Sequence, residues 1–289
     1  MSTRISEPAL QDASRRALEL AATRAAFDSV AADYDGPRGN NALIQRMRAE
    51  VWRLLDHTFG EGGHLLDLGC GTGLDAVRMA RQGHRVTATD WSPCMAERTR
   101  ERAAHEGMSD RVRSCAIGAH ELERFAGTEV FDGAYSNFGA LNCVPELERM
   151  AGQCARLLRP GGALVCSVIG RICPWEMVHY LRRGQWARVR VRYARGFVRV
   201  GLNRQDVYTH YYTPREFFAP FAAHFSLIEQ RGLCILAPPP YLTLVRERHP
   251  RWYEWSWRVD RRIAGWPLLR SLGDHFVIVM RKRGPGTER

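Results

Sequence analysis

The sequence has almost no lysine: Lys282 is the single lysine among 42 basic residues, and the other 41 are arginine. A P-loop that cradles a triphosphate needs a lysine directly after its last glycine. Lys282 follows Arg281 instead, which excludes this class of nucleotide site. The same bias means that abundant arginine does not by itself indicate a phosphate-binding surface.

Paired cysteines and long apolar segments are also missing. The eight cysteines include no Cys-x-x-Cys pair, which excludes zinc-ribbon and dithiol redox motifs. No apolar run reaches the ~18 residues of a membrane-spanning helix, and the first residues lack the basic and apolar parts of a secretory signal. We therefore expect reduced cysteines, no bound metal and a cytoplasmic location.

Acidic residues are absent from Leu181–Gln205, which holds eight arginines and most of the net charge of +11. Arg188, Arg190 and Arg192 alternate with apolar residues, and this pattern predicts a β-hairpin with one charged face and a turn at 194–196. Three interpretations of that face stay open. It is a solvated surface, a pocket for an anionic acceptor, or a surface for an anionic membrane or nucleic acid.

Short apolar segments alternate with amphipathic ones from about residue 61 onward. The predicted strands are HLLDL, RVTATD, RVRSCAI, FDGAYS, ALVCSVI, SLIEQRGLCIL and HFVIVMRKR. Strands that alternate with helices predict an α/β fold, here with a mostly parallel seven-stranded sheet and helices on both faces. Helical spacing over 8–32 and 41–59 predicts two helices before the sheet.

Three glycines at alternate positions follow the first predicted strand. LLDLGCGTGLD, Leu65–Asp75, contains Gly69, Gly71 and Gly73. Glycine permits a tight turn and close approach of a ligand, and ligands of open α/β sheets bind at the carboxyl ends of the strands. The spacing departs from the dinucleotide fingerprint Gly-x-Gly-x-x-Gly, because the last glycine would fall on Leu74.

Asp90 ends the second predicted strand, seventeen residues after Gly73. A carboxylate in this place accepts both hydroxyls of a ribose, as the acidic residue about 20 residues beyond the loop does in dinucleotide folds. A glycine loop, a ribose-binding acid and no phosphate-binding lysine together predict an adenosine ligand without phosphate.

These segments resemble the class I S-adenosylmethionine-dependent methyltransferases of the small-molecule type. LLDLGCGTG is similar to motif I of that family, and VTATDWSPCM is similar to its ribose-binding segment. The resemblance covers 65–169 and extends to AAFDSVAADYDG near the start and HFVIVMRKR near the end. It implies a Rossmann-like fold, S-adenosylmethionine as cofactor, and methyl transfer to O, N or C of a small acidic or amphipathic metabolite.

The resemblance also implies a cofactor site. Its predicted residues are Tyr34, Asp67, Gly69, Cys70, Gly71, Gly73, Asp90, Trp91, Ala119, His120 and Asn137. Tyr34 belongs to a segment that covers the cofactor in many members, and an aromatic face suits the sulfonium cation. Many members have Gly-Asp after the third strand. This chain has Ala119 after Gly118, so the Ala119 amide, with His120 or Glu121, is expected at the adenine.

The reaction that the resemblance implies needs alignment and dry surroundings more than an acid or base, because the methyl group is already activated. Asn137 ends the fourth predicted strand and is expected beside the methyl group. His210 and Tyr212 share one face of a predicted strand by period two. Either is a candidate to accept a proton from the acceptor.

The resemblance also implies a domain organisation for the chain. We predict one domain over 1–289, with an N-terminal helical cover over 1–60 and a cofactor-binding half over 61–169. A lid insertion after strand five follows over 170–212, then a C-terminal half over 213–283 and a tail over 284–289.

Two other functions stay open. The basic stretch fits an RNA methyltransferase, but SNFGALNC lacks the Pro-Pro-aromatic signature of nucleic-acid amino methyltransferases, and Cys143 follows Asn142 rather than Pro or Thr. A non-catalytic cofactor-binding scaffold is disfavoured by the intact loop. The expected partner is therefore a small-molecule acceptor rather than nucleic acid. Aromatic residues over 252–266 predict core packing or peripheral membrane contact.

Overall fold

The structure is a computed structural model that describes residues 7–37, 39–125 and 130–284, with side chains from Ser14 onward. The first half contains α1 (Glu7–Val30), α2 (Ala42–Phe59), β1 (His64–Leu68), α3 (Leu74–Arg81), β2 (Arg85–Asp90), α4 (Pro93–His105), β3 (Val112–Ala116), β4 (Phe131–Ser136), α5 (Leu147–Leu157) and β5 (Leu158–Ile169). The second half contains α6 (Pro174–Leu181), α7 (Trp186–Val191), β6 (Val198–Leu202), β7 (Gln205–Thr209), α8 (Pro214–Phe218), β8 (Phe225–Leu233), α9 (Thr243–Arg248), α10 (Pro250–Ile263) and β9 (His275–Lys282).

Seven strands form the central sheet in the order β3-β2-β1-β4-β5-β9-β8. The five strands from β3 to β5 are parallel, and β9 is antiparallel to both of its neighbours. This architecture confirms the predicted Rossmann-like α/β fold. The strand order reverses at β1 and β4, so a ligand is expected where these two strands end.

Each face of the sheet packs against helices. Successive residues of a strand point to opposite faces. Ala134 and Leu164 accordingly join one apolar core, and their neighbours Tyr135 and Val165 join the other. The first core contains the buried residues of α5, and the second contains those of α2, α3 and α10. The predicted helices on both faces are thus confirmed.

The N-terminal helix lies over the carboxyl edge of the sheet. Thr23 of α1 accepts a hydrogen bond from the Tyr208 amide of β7 at 3.0 Å. Asp28 accepts one from the Ser92 hydroxyl at the start of α4. Further along, Arg98 of α4 donates to the Ala32 carbonyl at 2.8 Å. These contacts join α1 and the segment after it to β7 and to α4.

The prediction for the arginine-rich stretch was wrong in its secondary structure. Residues Trp186–Val191 form the helix α7, and the hairpin lies downstream, between β6 and β7. Asn203 and Arg204 make its two-residue turn with φ of 47° and 66°, the left-handed values that such a turn requires. Alternation over five residues did not specify a strand here, because arginine favours helices.

The prediction of one charged face was also wrong. Seven of the eight arginines over 181–205 are exposed, but Arg192 is buried. Its guanidinium lies between Glu176 and Asp274, so it points away from the surface that its neighbours share. The tail predicted over 284–289 lies outside the described residues except for Gly284.

Two insertions extend the sheet domain. One follows β5 and carries α6, α7, β6 and β7, and the other lies between β8 and β9 and carries α9 and α10. Among the described residues, none of the helices combines the length and apolarity needed to cross a bilayer.

Candidate functional site

A cavity of about 300 Å³ lies at the carboxyl ends of β1, β2 and β4. The glycine loop after β1 forms its floor, and α1 and the β6–β7 hairpin contribute one wall. Cavities of roughly 300–1,000 Å³ are the usual size of small-molecule sites. Its position is the one expected from the reversal of strand order.

The three loop glycines all have left-handed φ, but they do different things. A Cβ on Gly69 would lie 2.3 Å from the Ala140 Cβ, and one on Gly73 would lie 2.9 Å from Thr99. These two glycines therefore permit close packing. A Cβ on Gly71 would meet nothing within 4 Å, and Gly71 lines the cavity. Only Gly71 leaves space that a ligand can occupy.

Of the other residues predicted at the loop, some line the cavity and others lie behind it. Cys70 lines the cavity with Gly69 and Gly71. Asp67 does not line it and is fully buried at β1. Burial, and then the neighbouring Asp75, raises the pKa of Asp67 well above its ordinary value, which favours the neutral carboxyl. Asp67 and Gly73 lie behind the loop rather than on the cavity surface.

Asp90 ends β2 on the cavity wall. One carboxylate oxygen accepts the Gly71 amide at 2.9 Å, and the other accepts the Ser92 amide at 2.9 Å. Burial raises the pKa of Asp90 to about 6, although these hydrogen bonds act in the opposite direction. The carboxylate thus joins the glycine loop to the start of α4 and faces the cavity.

Trp91 and His120 form an aromatic corner of the cavity beside Ala119. Their ring centroids are 4.6 Å apart and the rings are nearly perpendicular. Burial lowers the pKa of His120, which favours a neutral ring. Glu121 accepts the Gly118 amide at 2.9 Å and does not line the cavity, so Ala119 and His120 are the residues placed for a planar ligand.

A buried polar cluster closes the cavity on the α2 side. Arg48 pairs with Asp75 at 2.7 Å, and Asp75 also accepts hydrogen bonds from Trp52 at 2.7 Å and Asn137 at 3.1 Å. The Arg48 guanidinium lies 4.5 Å from the Phe138 ring centroid. Its Nε is buried and has no hydrogen-bond partner in the described part of the chain. Arg48 also lines the cavity and places a positive charge there.

Sequence reasoning missed Arg48 and Asp75. Asp75 carried a usable signal, because it lies in the first turn of the helix after the glycine loop. An acidic side chain among apolar residues there needs a partner if it is buried. Arg48 carried none, since it is one of 41 arginines and lies on an ordinary amphipathic helix. Only the packing of α2 beside α3 brings the two together.

Tyr34 lines the cavity from the segment after α1. The next residue, Asp35, pairs with Arg102 of α4, and the Arg102 Nε donates to the Thr72 carbonyl at 2.7 Å. These contacts tie the segment to the glycine loop. Burial raises the pKa of Tyr34, so its ring is neutral at the cavity surface.

The wall formed by α1, the hairpin and their neighbours is mainly apolar. Its apolar residues are Leu20, Phe27, Val144, Ile169, Val200, Leu202 and Val207. Its uncharged polar side chains are Thr23, Cys143 and Thr209. Burial raises the pKa of Cys143 to about 12, against the effect of its hydrogen bond with Thr209, so the thiol is neutral. None of the eight arginines over 181–205 lines the cavity.

His210 and Tyr212 lie together, but not on this cavity. Their rings stack with centroids 4.2 Å apart, as their shared face predicted. They line a separate surface depression with Phe197 and Pro220. The His210 amide donates to the Asn142 carbonyl at 2.8 Å. Their predicted role as proton acceptors has no support from this placement, whereas Asn137 does line the cavity.

The chain is similar in sequence to known methyltransferases. A family model described as a methyltransferase domain matches residues 65–162. The chain is 30% identical over 154 residues to a demethylmenaquinone methyltransferase of Leptospira interrogans, covering 52% of this chain and 61% of that protein. It is 27% identical over 150 residues to a ubiquinone biosynthesis O-methyltransferase of Coxiella burnetii, covering 51% and 61%. The chain thus spans about three fifths of the length of these relatives.

A solved structure extends the comparison to nearly the whole chain. The fold is similar to that of 1,6-didemethyltoxoflavin-N1-methyltransferase from Burkholderia thailandensis, which was solved with 1,6-didemethyltoxoflavin and S-adenosylhomocysteine. The TM-score is 0.55 at 22% identity, and the match covers 98% of this chain and 94% of that one. At this identity the likeness shows the fold alone.

Proposed function

We propose that the chain is a class I S-adenosylmethionine-dependent methyltransferase, as the methyltransferase-domain model over residues 65–162 supports, and that it methylates an apolar, uncharged small molecule. The observation that carries the proposal is the wall of α1 and the hairpin, which is apolar apart from neutral hydroxyl and thiol groups and one paired arginine.

The residues present fit S-adenosylmethionine, which supplies an activated methyl group when bound. Gly71 leaves the space for close approach of a ligand, and Asp90 presents carboxylate oxygens for the ribose hydroxyls. Trp91 and His120 suit the adenine ring. Arg48 lines the cavity, and we assign its guanidinium to the carboxylate of the cofactor.

The charged side chains on the cavity wall indicate the class of acceptor. Arg24 is the one charged residue that the described part of α1 contributes to the cavity, and it already pairs with Asp28 at 3.7 Å. On this wall an anionic acceptor would meet Arg24 as its one cation, with the Asp28 carboxylate 3.7 Å from it, and burying the charge of the acceptor would be costly. The acidic metabolite left open by the sequence thus loses support. The names of the relatives, which refer to menaquinone and ubiquinone, favour an apolar ring compound.

The acceptor also has to provide its own nucleophile. The polar side chains on the apolar wall are Thr23, Cys143 and Thr209, and none of these is a base at neutral pH. His120 lies at the adenine corner instead. We infer an acceptor whose nucleophile needs no deprotonation before attack, either an electron-rich ring carbon or a neutral nitrogen, which loses its proton to solvent after the transfer. The wall excludes water and holds this nucleophile in line.

The RNA alternative draws no support from the site, because the exposed arginines over 181–205 lie outside the cavity. A non-catalytic scaffold and a methyltransferase would both bind the cofactor. A screen with methyl-labelled S-adenosylmethionine against neutral phenols and quinols, anionic analogues of the same ring size, and RNA separates these outcomes. Transfer to the anionic set or to RNA alone would contradict the proposal.

An aspartate on the apolar wall should weaken acceptor binding. Val200 of β6 lines the cavity, so in the Val200→Asp variant a neutral ring would have to pack against a carboxylate. We expect the KM of the acceptor to rise at least about tenfold, since misplacing a polar group in an apolar site costs roughly 1–3 kcal/mol. The affinity for S-adenosylmethionine, measured by calorimetry, should be unchanged. Val198→Asp is the matched control, because Val198 lies on the same face of β6 as Val200 but does not line the cavity. If the two variants raised KM equally, this wall would be excluded as the acceptor site.

Cofactor affinity should depend on pH through Asp90. Its pKa of about 6 lies above the ordinary carboxyl value, and only the ionised form offers two acceptor oxygens to the ribose hydroxyls. Binding therefore lowers this pKa, and affinity should be constant above it and fall as the pH drops below it, by up to about tenfold per unit. Calorimetry across this range in two buffers would also show proton release. Asp90→Asn should bind weakly with a flat profile; a flat wild-type profile would contradict the assignment.

A further inference from the structure

The two insertions meet and form one continuous surface. The ring of Trp175 on α6 lies 5.5 Å from that of Trp252 on α10. The Tyr241 hydroxyl, just before α9, donates to Glu176 of α6 at 3.2 Å. We call residues 174–195 and 241–255 the insertion surface. It is built from elements that the sheet does not need for its own pairing.

Apolar side chains of the insertion surface are left uncovered. Six of the eight residues of α6 are apolar, yet α6, α7 and α9 contain no buried residue. The exposed apolar side chains are Val178 (46%), Leu181 (36%), Trp186 (63%), Leu244 (58%), Trp252 (36%) and Trp255 (49%). Several large exposed apolar side chains on two insertions that contact each other mark a surface for another molecule or a membrane.

The same surface carries positive charge that the protein does not neutralise. Arg182, Arg183, Arg190 and Arg195 are exposed, and in the described part of the chain no carboxylate lies within 4.0 Å of them. A second copy of this chain, with a net charge of +11, would bring like charge to the contact. Charge complementarity therefore selects an anionic partner.

The kind of anion follows from the side chains between the arginines. Nucleic acids present phosphates and base edges, which leave aliphatic groups such as Val178, Leu181 and Leu244 without a partner. The boundary of a lipid bilayer accepts tryptophan at the headgroups, aliphatic side chains beneath them and arginine at the lipid phosphates. We propose that the insertion surface docks on an anionic lipid bilayer.

Docking would place the cavity close to a source of apolar compounds. The arginine-rich stretch continues from α7 into β6, whose Val200 and Leu202 line the cavity. The surface and one cavity wall are thus parts of the same insertion. The docking inference is separate from the proposed methyl transfer, since vesicle binding requires neither cofactor nor acceptor.

Vesicle sedimentation of the whole protein tests the proposal. We expect binding to vesicles of phosphatidylcholine mixed with phosphatidylglycerol, little binding to phosphatidylcholine alone, and weaker binding as ionic strength rises. Replacing Arg182 and Arg183 by Gln should lower vesicle affinity about tenfold or more. The double change Arg85→Gln and Arg156→Gln removes two exposed arginines outside the insertions and should leave vesicle affinity unchanged.

The apolar contribution needs its own variant. Trp186→Ser should lower affinity for the anionic vesicles, whereas Leu18→Ser, at an exposed position of α1, should not. Absence of binding to anionic vesicles, or equal loss in the insertion variants and their controls, would overturn the proposal. So would salt-sensitive binding to RNA in place of vesicles. Circular dichroism of each variant verifies that the fold is retained.

Discussion

Replacing Gly71 with leucine should abolish S-adenosylmethionine binding and methyl transfer while leaving the sheet folded. The Cβ position of Gly71 has no atom within 4 Å and faces a cavity of about 300 Å³. A leucine side chain would fill part of the space that we assign to the cofactor and would prevent close approach to the loop. Even a displacement of about 1 Å from alignment costs on the order of 100-fold in rate, so we expect at least this loss in kcat/KM.

The left-handed backbone of Gly71 requires a control, since leucine at φ of 55° is strained by roughly 1–2 kcal/mol. Gly107 has φ of 67°, also has nothing within 4 Å of its Cβ position, and lies away from the cavity. Gly107→Leu should therefore lose similar stability in urea unfolding and retain cofactor binding. If calorimetry showed equal cofactor affinity for the two variants, Gly71 would not border the cofactor.

The sequence located the glycine loop but made its three glycines look equivalent. Their spacing and the strand before them are local features, so loop, strand and Asp90 were all predictable. The difference between Gly69, Gly71 and Gly73 depends on Ala140 and Thr99, which are far along the chain. Contacts of that kind are decided by tertiary packing and leave no local pattern.

The contrast between local sequence pattern and tertiary packing also explains where the fold prediction failed. Alternating strands and helices arise from periodicities within each segment, and the predicted sheet was confirmed. Over 186–191 the alternation of arginine and valine suits a strand as well as a helix. In the structure α7 ends at Val191, and ion pairs with Glu176 and Asp274 hold the next residue, Arg192. Those partners come from α6 and from the segment before β9, and sequence spacing does not indicate them.

Arg192 holds three segments together. Its Nη2 donates to Glu176 of α6 at 2.5 Å and to the Asp274 carboxylate at 2.7 Å, and its Nη1 donates to the Gly170 carbonyl at 2.7 Å. Cys173, Glu176 and Asp274 bring three ligand-type atoms within 4.8 Å of one another, an arrangement that suggests a metal site. The guanidinium lies between the two carboxylates and supplies the positive charge that a metal ion would otherwise supply.

Replacing Arg192 with methionine should destabilise the protein by about 3–5 kcal/mol, because the buried Asp274 and the partly buried Glu176 would lose their cation. Urea unfolding measures this loss. Arg190→Met is the matched control: Arg190 is exposed, lies two residues away and should change stability by no more than about 0.5 kcal/mol. Arg192→Lys should fall between the two, because it keeps the charge but loses the forked hydrogen bonds.

The pH dependence of this loss identifies its cause. Burial alone would raise the pKa of Asp274, but Arg192 and His275 outweigh it and hold this pKa well below its ordinary value. A carboxyl with a lowered pKa contributes stability above the unfolded value of about 4, and this contribution is lost as pH falls below that value. The stability difference between wild type and Arg192→Met should therefore be full at neutral pH and shrink in acid. A difference that stayed constant down to about pH 3 would show that Arg192 acts through packing of its side chain rather than through its charge.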